Sequence, residues 1–143
     1  MTVRLILEQK GRDVVTLEPH ATLAQAAQLL GARRIGAVVV TAGDRKIRGI
    51  LSERDIVRAV GELGTEALSL TVDKAMTAKV STCREANTVN EVMEIMTRGR
   101  FRHLPVEKDG QLDGIISIGD VVKLRIEEVE REAEQIREYI ATA

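Results

Sequence analysis

The sequence predicts a mixed α/β (α+β) fold in which two similar β-α-β-β-α units pack about a pseudo-twofold axis. The first observation behind this prediction is that VVTLEPHATLAQAAQLLGARRIGAVVV (14–40) aligns with VSTCREANTVNEVMEIMTRGRFRHLPV (80–106). The second is that GILSERDIVRAV (49–60) aligns with GIISIGDVVKLR (114–125), after a turn that is one residue shorter in the second copy. Two copies with a long period indicate a pair of packed units rather than a solenoid.

Each copy opens with a short strand and a capped helix. We expect the strands at residues 14–17 and 80–83, and each helix begins with a capping box, TLAQ (22–25) or TVNE (88–91). Apolar residues then recur at helical spacing on one face. They are Leu23, Ala26, Ala27 and Leu30 in the first copy, and Val89, Val92, Met93 and Met96 in the second.

Two further strands and a second helix complete each copy. β-Branched residues predict strands at 37–41 and 103–106, and a turn containing Asp and Gly leads to a third strand, at 47–51 and 112–116. A serine then stands at the N-cap of the second helix, with an acid three residues later. These pairs are Ser52 with Asp55 and Ser117 with Asp120.

Two segments lie outside the repeat. Residues 2–10 predict a short N-terminal helix, and residues 121–141 extend the last helix of the second copy. The extension carries a long stripe of apolar residues, which either folds back on its own chain or pairs with a second chain. We favour packing within a homodimer. The repeats divide the chain into residues 1–70 and 71–143. The apolar residues of the extension follow a coiled-coil-like spacing: Val122, Ile126, Val129, Ala133, Ile136 and Ile140.

Composition argues against several classes of partner. The chain has 143 residues and a formal net charge of −1. This balance and an aromatic content of 1% offer neither the basic surface nor the stacking platforms that suit nucleic acid, and no basic patch for a membrane. The apolar run at 35–40 is too short to span a bilayer. A single cysteine fits a reducing compartment, and residues 1–13 lack signal-peptide features. We therefore predict a cytoplasmic protein.

A motif of the form h-x-G-h-h-S-x-x-D-h-h, in which h is apolar, occurs once in each copy. It reads IRGILSERDIV (47–57) in the first copy and LDGIISIGDVV (112–122) in the second, where RHLPV (102–106) precedes the turn. Two such motifs at matched positions resemble the cystathionine-β-synthase (CBS) domain, present here as the tandem pair called a Bateman module. The resemblance covers residues 11–125, and the chain resembles the stand-alone members of the family, the CBS domain proteins.

This resemblance implies that adenosine-type nucleotides bind in two clefts between the copies. In the family, S-x-x-D of one copy works with the first strand of the other copy and with the start of its second strand. The Asp binds ribose hydroxyls, and basic or hydroxyl residues meet phosphate. Carried onto this sequence, the first cleft contains Ser52, Arg54, Asp55, Thr77, Val80, Ser81, Arg102 and His103. The second cleft contains Gly11, Val14, Val15, Gly36, Ala37, Ser117 and Asp120.

The two clefts differ in charge. The first has Arg54, Arg102 and a histidine, which suit phosphate groups, whereas Gly119 stands in the second copy at the position that matches Arg54. We therefore predict that phosphate recognition is concentrated in the first cleft. The second cleft holds an uncharged nucleoside part, binds more weakly or stays empty, unless a basic residue from elsewhere, such as Arg12 or Lys79, reaches it.

Each S-x-x-D segment has an alternative interpretation as a helix cap alone. Serine at the N-cap and an acid at the third helical position satisfy free amide groups whether or not a ligand is present. The same helix start can bind an anion, and the carboxylate can accept hydrogen bonds from both hydroxyls of a ribose. The repeat favours ligand binding. The cap alone supports the alternative function, a ligand-free interaction and dimerisation module.

We predict a non-catalytic regulatory or sensor module that binds AMP, ADP, ATP or an NAD-type nucleotide and acts on an unidentified regulated protein. The sequence contains no P-loop, no GxGxxG and no HExxH motif. Two histidines and one cysteine, far apart in sequence, do not indicate a metal site, and no nucleophile is paired with a base. Neither a metal nor a catalytic cofactor is expected, and Cys83 is expected to be a small buried apolar residue.

Overall fold

The computed structural model describes residues 1–142. Within that range the mixed α/β fold, the N-terminal helix and the long C-terminal helix are confirmed, and two short helices between the copies were not predicted. The helices are α1 (Val3–Lys10), α2 (Leu23–Arg33), α3 (Glu53–Leu63), α4 (Val72–Ala75), α5 (Val89–Gly99) and α6 (Ile118–Thr142), with a 3₁₀ helix at Gly64–Ser69. The strands are β1 (Thr16–Leu17), β2 (Ala37–Thr41), β3 (Ile47–Ser52), β4 (His103–Lys108) and β5 (Gln111–Ser117).

The strands form one small sheet in each copy. In the first copy β1 pairs parallel with β2, and β2 pairs antiparallel with β3. In the second copy β4 pairs antiparallel with β5. The two hairpins have the same register, since Ala37 faces Ser52 and His103 faces Ser117, and each contains an irregularity at the matching position. The common register is the structural expression of the sequence repeat.

The opening strand predicted at residues 80–83 is wrong. Only Cys83 joins the sheet: its N–H donates to the Pro105 carbonyl at 3.0 Å, and its own carbonyl accepts the N–H of Glu107 at 2.8 Å. This makes an isolated parallel bridge rather than a strand. The preceding residues leave the sheet because the chain turns there to line a cavity between the two copies, to which residues 80 and 81 contribute.

All four predicted helix caps form, and they fix where α2, α3, α5 and α6 begin. Thr22, Ser52 and Thr88 each form a complete capping box with the third residue of the helix that follows. Ser117 and Asp120 form the same two hydrogen bonds. The Ser117 N–H donates to Asp120 Oδ2 at 2.9 Å, and the Asp120 N–H donates to Ser117 Oγ at 3.2 Å. Each S-x-x-D motif therefore acts as a helix cap.

Each copy has its own apolar core, and the segments that precede the copies are exchanged between these cores. Val3, Ile6 and Leu7 of α1 pack in the core of the second copy. Val72 of α4, which precedes the second copy in sequence, packs in the core of the first. Each core therefore contains chain from both sides of the division predicted at residues 70 and 71.

The glycine of each repeated motif lets an exchanged segment pass close to the sheet. A Cβ atom at Gly49 would lie 2.5 Å from Met76 Sδ and 2.9 Å from the carbonyl oxygen of Thr77. A Cβ atom at Gly114 would lie 2.8 Å from Leu7 Cδ2. Since glycine within a strand marks a close approach, packing accounts for this part of the motif.

The second half of α6 extends beyond the core. Val121 and Leu124 are buried, whereas the apolar side chains that continue the stripe after them are exposed: Ile126, Val129, Ile136 and Ile140. The stripe therefore does not fold back on its own chain. Among residues 1–142, none of the helices combines the length and the apolar character that crossing a membrane requires.

Candidate functional site

A cavity of about 520 Å³ lies between the two copies, beside the start of α3. Its wall combines the N-terminal turn of α3 with the segment 77–81 and with the chain between α5 and β4. The structure brings together in this wall all eight residues assigned from the sequence to the first cleft: Ser52, Arg54, Asp55, Thr77, Val80, Ser81, Arg102 and His103.

Asp55 is the buried acid of this cavity, and its side chain is only 6% exposed. One carboxylate oxygen, Oδ2, accepts the N–H of Ser52 at 2.9 Å and the Ser52 hydroxyl at 3.1 Å. The other, Oδ1, lies 3.5 Å from the Thr77 hydroxyl and 3.6 Å from Nη1 of Arg58. The helix cap therefore uses Oδ2, and Oδ1 faces residues of the cavity wall. Capping and ligand binding are compatible in this geometry.

Thr77 is held beside Asp55 by the backbone. Its N–H donates to the Ile50 carbonyl at 2.9 Å, and the Ile50 N–H donates to the Thr77 carbonyl at 3.0 Å. This bridge places the first residue of the 77–81 segment against the end of β3, next to the start of α3. The backbone of Thr77 therefore has a fixed position beside Asp55.

The wall of the cavity carries more basic than acidic side chains. Its acids are Glu53 and Asp55. One of the basic groups is committed to the backbone, because Arg54 Nη1 donates to the Arg100 carbonyl at 3.1 Å and so joins the first copy to the second. A surplus of cations suits an anionic ligand. The basic residues of the wall are Arg54, Arg58, Lys79, Arg100 and Arg102.

Three of these basic residues were not assigned to the first cleft from the sequence. Arg58 lies one helical turn after Asp55, so helical spacing could have revealed it. Lys79 was considered only for the second cleft. Arg100 matches Arg34 in the first copy, so the sequence does not distinguish it from a surface charge. Only the way in which the copies pack places Lys79 and Arg100 in this wall.

His103 lies at the boundary between the two copies. Burial lowers the pKa of its imidazole, and the nearby carboxylate of Glu53 opposes that shift without reversing it. A Cβ atom at Gly36 would lie 3.0 Å from His103 Cε1, so glycine at this position makes room for the ring. The neutral imidazole can donate one hydrogen bond and accept another.

Gly36 and Ala37 line the cavity beside Asp55, although they were assigned from the sequence to the second cleft. The reason is the pseudo-twofold arrangement. Gly36 accepts the N–H of Glu53 at 3.0 Å, and Arg102 accepts that of Ile118 at 2.7 Å, so residues 36 and 102 are equivalent. Gly36 lies close to His103, so the starts of β2 and β4 both line this cavity.

Asp120, the acid that the sequence assigns to the second cleft, has a different environment. Asp120 Oδ2 accepts the N–H of Ser117 at 2.9 Å and is also bonded by Lys10 Nζ at 2.7 Å. Burial raises the pKa of Asp120, but the bonds from Lys10 and Ser117 outweigh burial and leave that pKa below its usual value. Gly11 follows Lys10 at the end of α1. Lys10 was not among the residues assigned from the sequence.

Val14 and Val15 were also assigned to the second cleft. They are half-buried in the segment that leads into β1. Val15 packs against the core of the first copy, and its carbonyl accepts the N–H of Val39 at 3.4 Å. The contacts of Val15 join it to the first copy, whereas the bond from Lys10 to Asp120 joins α1 to the second copy.

The chemistry of the remaining candidates is limited. Within residues 1–142, no group of three or more His, Cys, Asp or Glu side chains is arranged to hold a metal ion. Cys83 is buried as expected, and burial raises the pKa of its thiol to about 12. Because the thiolate is the reactive form, the environment of Cys83 does not activate it as a nucleophile.

The fold and the cavity define a class of protein: a tandem pair of α/β repeats with a candidate ligand cleft between them. Residues 11–62 and 72–127 each match the CBS domain family. The chain therefore belongs to the CBS domain family, and the resemblance seen in its motifs is confirmed.

Solved structures with the same fold support this assignment. The CBS-domain containing protein ATU1752 from Agrobacterium tumefaciens is 52% identical, with a TM-score of 0.85 over 87% of this chain and 99% of that one. The CBS domain protein PAE2072 from Pyrobaculum aerophilum, solved in complex with AMP, is 31% identical, with a TM-score of 0.74 over 84% of this chain and 89% of that one.

A relative in a plant carries the same family name. The CBS domain-containing protein CBSX3, mitochondrial, from Arabidopsis thaliana is 35% identical over 97% of this chain and 71% of its own length. An uncharacterized 17.7 kDa protein of Acidianus ambivalens is also 35% identical, and the match spans 66% of its length. These relatives extend beyond the segment that they share with this chain.

Proposed function

We propose that this protein is a non-catalytic regulatory module that binds an adenine nucleotide in the cavity beside Asp55. The observation that carries the proposal is the combination, in one wall, of a buried carboxylate at a helix N-terminus with five basic side chains. A carboxylate in this position suits the two hydroxyls of a ribose, and the cations suit phosphate. The AMP complex of the related PAE2072 protein supports the same ligand class.

In this proposal the two ends of the nucleotide meet different residues. The ribose lies against the carboxylate of Asp55, at the start of α3, and the hydroxyl of Thr77, whose backbone is bonded to the end of β3. The phosphate lies toward Lys79, Arg102 and His103. AMP is the first ligand to test, and the cation surplus extends the class to ADP, ATP and NAD-type nucleotides.

Thermal unfolding with AMP tests this function. A ligand of the native state raises the midpoint of unfolding progressively with its concentration, so we expect AMP at increasing concentrations to raise it. Adenosine, which lacks the phosphate, is the matched control and should raise it less. Absence of a shift with AMP, ADP, ATP and NAD would contradict the proposal and favour the ligand-free interaction module.

We also propose that two copies of the chain associate through α3 and α6. These helices are equivalent in the repeat, and each exposes apolar side chains that the chain itself does not cover. On α3 Val60 is 41% exposed, and on α6 Ile126 is 52% exposed. Large exposed apolar side chains on both helices mark a candidate protein interface. An unidentified regulated protein would then respond to a change in the relative position of the two repeats or of the two chains.

Ile126→Glu is expected to convert a dimer into monomers, because it places a charge in the apolar face of α6. Light scattering coupled to gel filtration measures the mass of the particle directly. Ala32→Glu is the matched control, since Ala32 is exposed on α2, outside α3 and α6. A dimer that survives Ile126→Glu unchanged, or a monomeric unmodified protein, would exclude this interface.

A further inference from the structure

The two repeats differ at one pair of equivalent contacts. In the first copy the backbone of Ile50 pairs with Thr77, and the Thr77 hydroxyl lies 3.5 Å from the acid of the cleft. In the second copy Ile115 matches Ile50, and Gly11, which has no side chain, matches Thr77. The place of Thr77 is taken by the preceding residue, Lys10.

Lys10 binds two groups of the second copy with its ammonium. Nζ donates to the Ile115 carbonyl at 3.0 Å and to Asp120 Oδ2 at 2.7 Å. The side chain therefore crosses the end of β5 and reaches the acid of the S-x-x-D motif. The first cleft holds its acid with a neutral hydroxyl and a more distant guanidinium, whereas the second holds its acid with a close ammonium.

This contact changes what the second cleft can bind. Lys10 and Ser117 both bond Asp120 Oδ2, so a ribose hydroxyl would meet Oδ1 of a carboxylate whose charge Lys10 already compensates. The bond from the ammonium is charge-assisted and so about twice as strong as a bond between neutral groups, so a diol that binds both carboxylate oxygens would have to displace the stronger partner. Lys10 and Asp120 are also partly shielded from solvent, with side chains 34% and 25% exposed, which strengthens the pair relative to a surface ion pair.

We infer that Lys10 closes the second cleft to nucleotide, so that each chain binds a single nucleotide in the cavity beside Asp55. The inference rests on the proposed function and deepens it, because it assigns a residue that sets the number of occupied sites. This difference between the clefts comes from the sequence Lys10-Gly11. Gly11 lacks the hydroxyl that Thr77 supplies in the first cleft, and Lys10 supplies a cation instead.

The competing explanation is that Lys10 only fastens α1 to the second copy. Other ion pairs already do this. Arg4 Nε lies 3.4 Å from Glu85 Oε2, and Arg12 Nη1 lies 2.7 Å from Asp113 Oδ2. Arg4 is on the same helix as Lys10 but has its partner outside the S-x-x-D motif. Arg4→Met is therefore a matched control that weakens the attachment of α1 without touching Asp120.

Isothermal titration of the full chain with AMP tests the inference. We expect one AMP per chain for the unmodified protein and for Arg4→Met, and two per chain for Lys10→Met. One AMP per chain in Lys10→Met would overturn the inference, as would two per chain in the unmodified protein. A loss of thermal stability in Lys10→Met with unchanged stoichiometry would assign Lys10 to fastening alone.

A second pair of variants separates this inference from the proposed function. Asp55→Ala removes the acid of the first cleft, so Asp55→Ala combined with Lys10→Met should bind one AMP where Asp55→Ala alone binds little. No binding by any of these proteins would overturn both the nucleotide function and the inference. Binding of one AMP by the unmodified protein, lost with Asp55→Ala and not regained with Lys10→Met, would overturn the inference alone.

Discussion

Asp55→Ala is expected to weaken AMP binding by about 10- to 100-fold, the range that corresponds to losing one hydrogen bond to a charged group. Asp55 is the buried acid of the cavity, and its Oδ1 atom faces the cavity residues Thr77 and Arg58. Alanine removes both the proposed acceptor for the ribose and the negative charge against which these side chains are arranged. Isothermal titration with AMP measures the change in dissociation constant.

Asp120→Ala is the matched control for this prediction. Both substitutions remove the acid of a Ser-x-x-Asp cap, since Asp55 caps α3 and Asp120 caps α6 in the same way. Loss of the cap alone destabilises a helix by about 1 kcal/mol, and it is common to the two variants. We expect Asp120→Ala to leave AMP affinity nearly unchanged. Equal losses of affinity in the two variants would contradict the asymmetry between the clefts.

The elements that local sequence patterns encode were predicted well. The caps at Ser52 and Ser117 form because a side chain and an amide three residues apart need no distant partner. The hairpins form at the predicted places because β-branched runs flank a turn with Asp and Gly. The opening strand at 80–83 failed for the opposite reason: strand pairing depends on where a distant segment lies.

Apart from Arg58, the features of the site that the sequence did not predict depend on contacts between the two copies. Lys10 contacts Asp120 only because α1 packs in the core of the second copy. Gly36 borders the cavity beside Asp55 because it lies against His103. Alignment of the repeats identifies equivalent residues, and it does not say which of them meet across the axis. The roles of the cavity residues toward a nucleotide remain predictions.

The exchange of α1 and α4 between the cores makes the N-terminal helix part of the core of the second copy. Leu7 is only 1% exposed and lies against Gly114, the glycine of the second motif. Leu7→Ala is expected to lower the free energy of unfolding by about 2–5 kcal/mol, as is usual for a large buried aliphatic side chain. Urea denaturation measures the loss. Glu8→Ala, at the exposed neighbouring position of α1, should change it by about 0.5 kcal/mol or less.

Leu7→Ala also tests whether the two copies unfold together. Arg45 joins the hairpins of both copies, because its carbonyl accepts the Leu112 N–H at 2.7 Å and its guanidinium donates to the Leu112 carbonyl at 2.9 Å. Arg54 makes a further link to Arg100. With these contacts and with exchanged helices, loss of one core removes support from the other, so we expect a single transition that Leu7→Ala shifts as a whole. Two transitions, of which the substitution moves only one, would show that the cores are independent and that the relation between the copies is free to change without unfolding either.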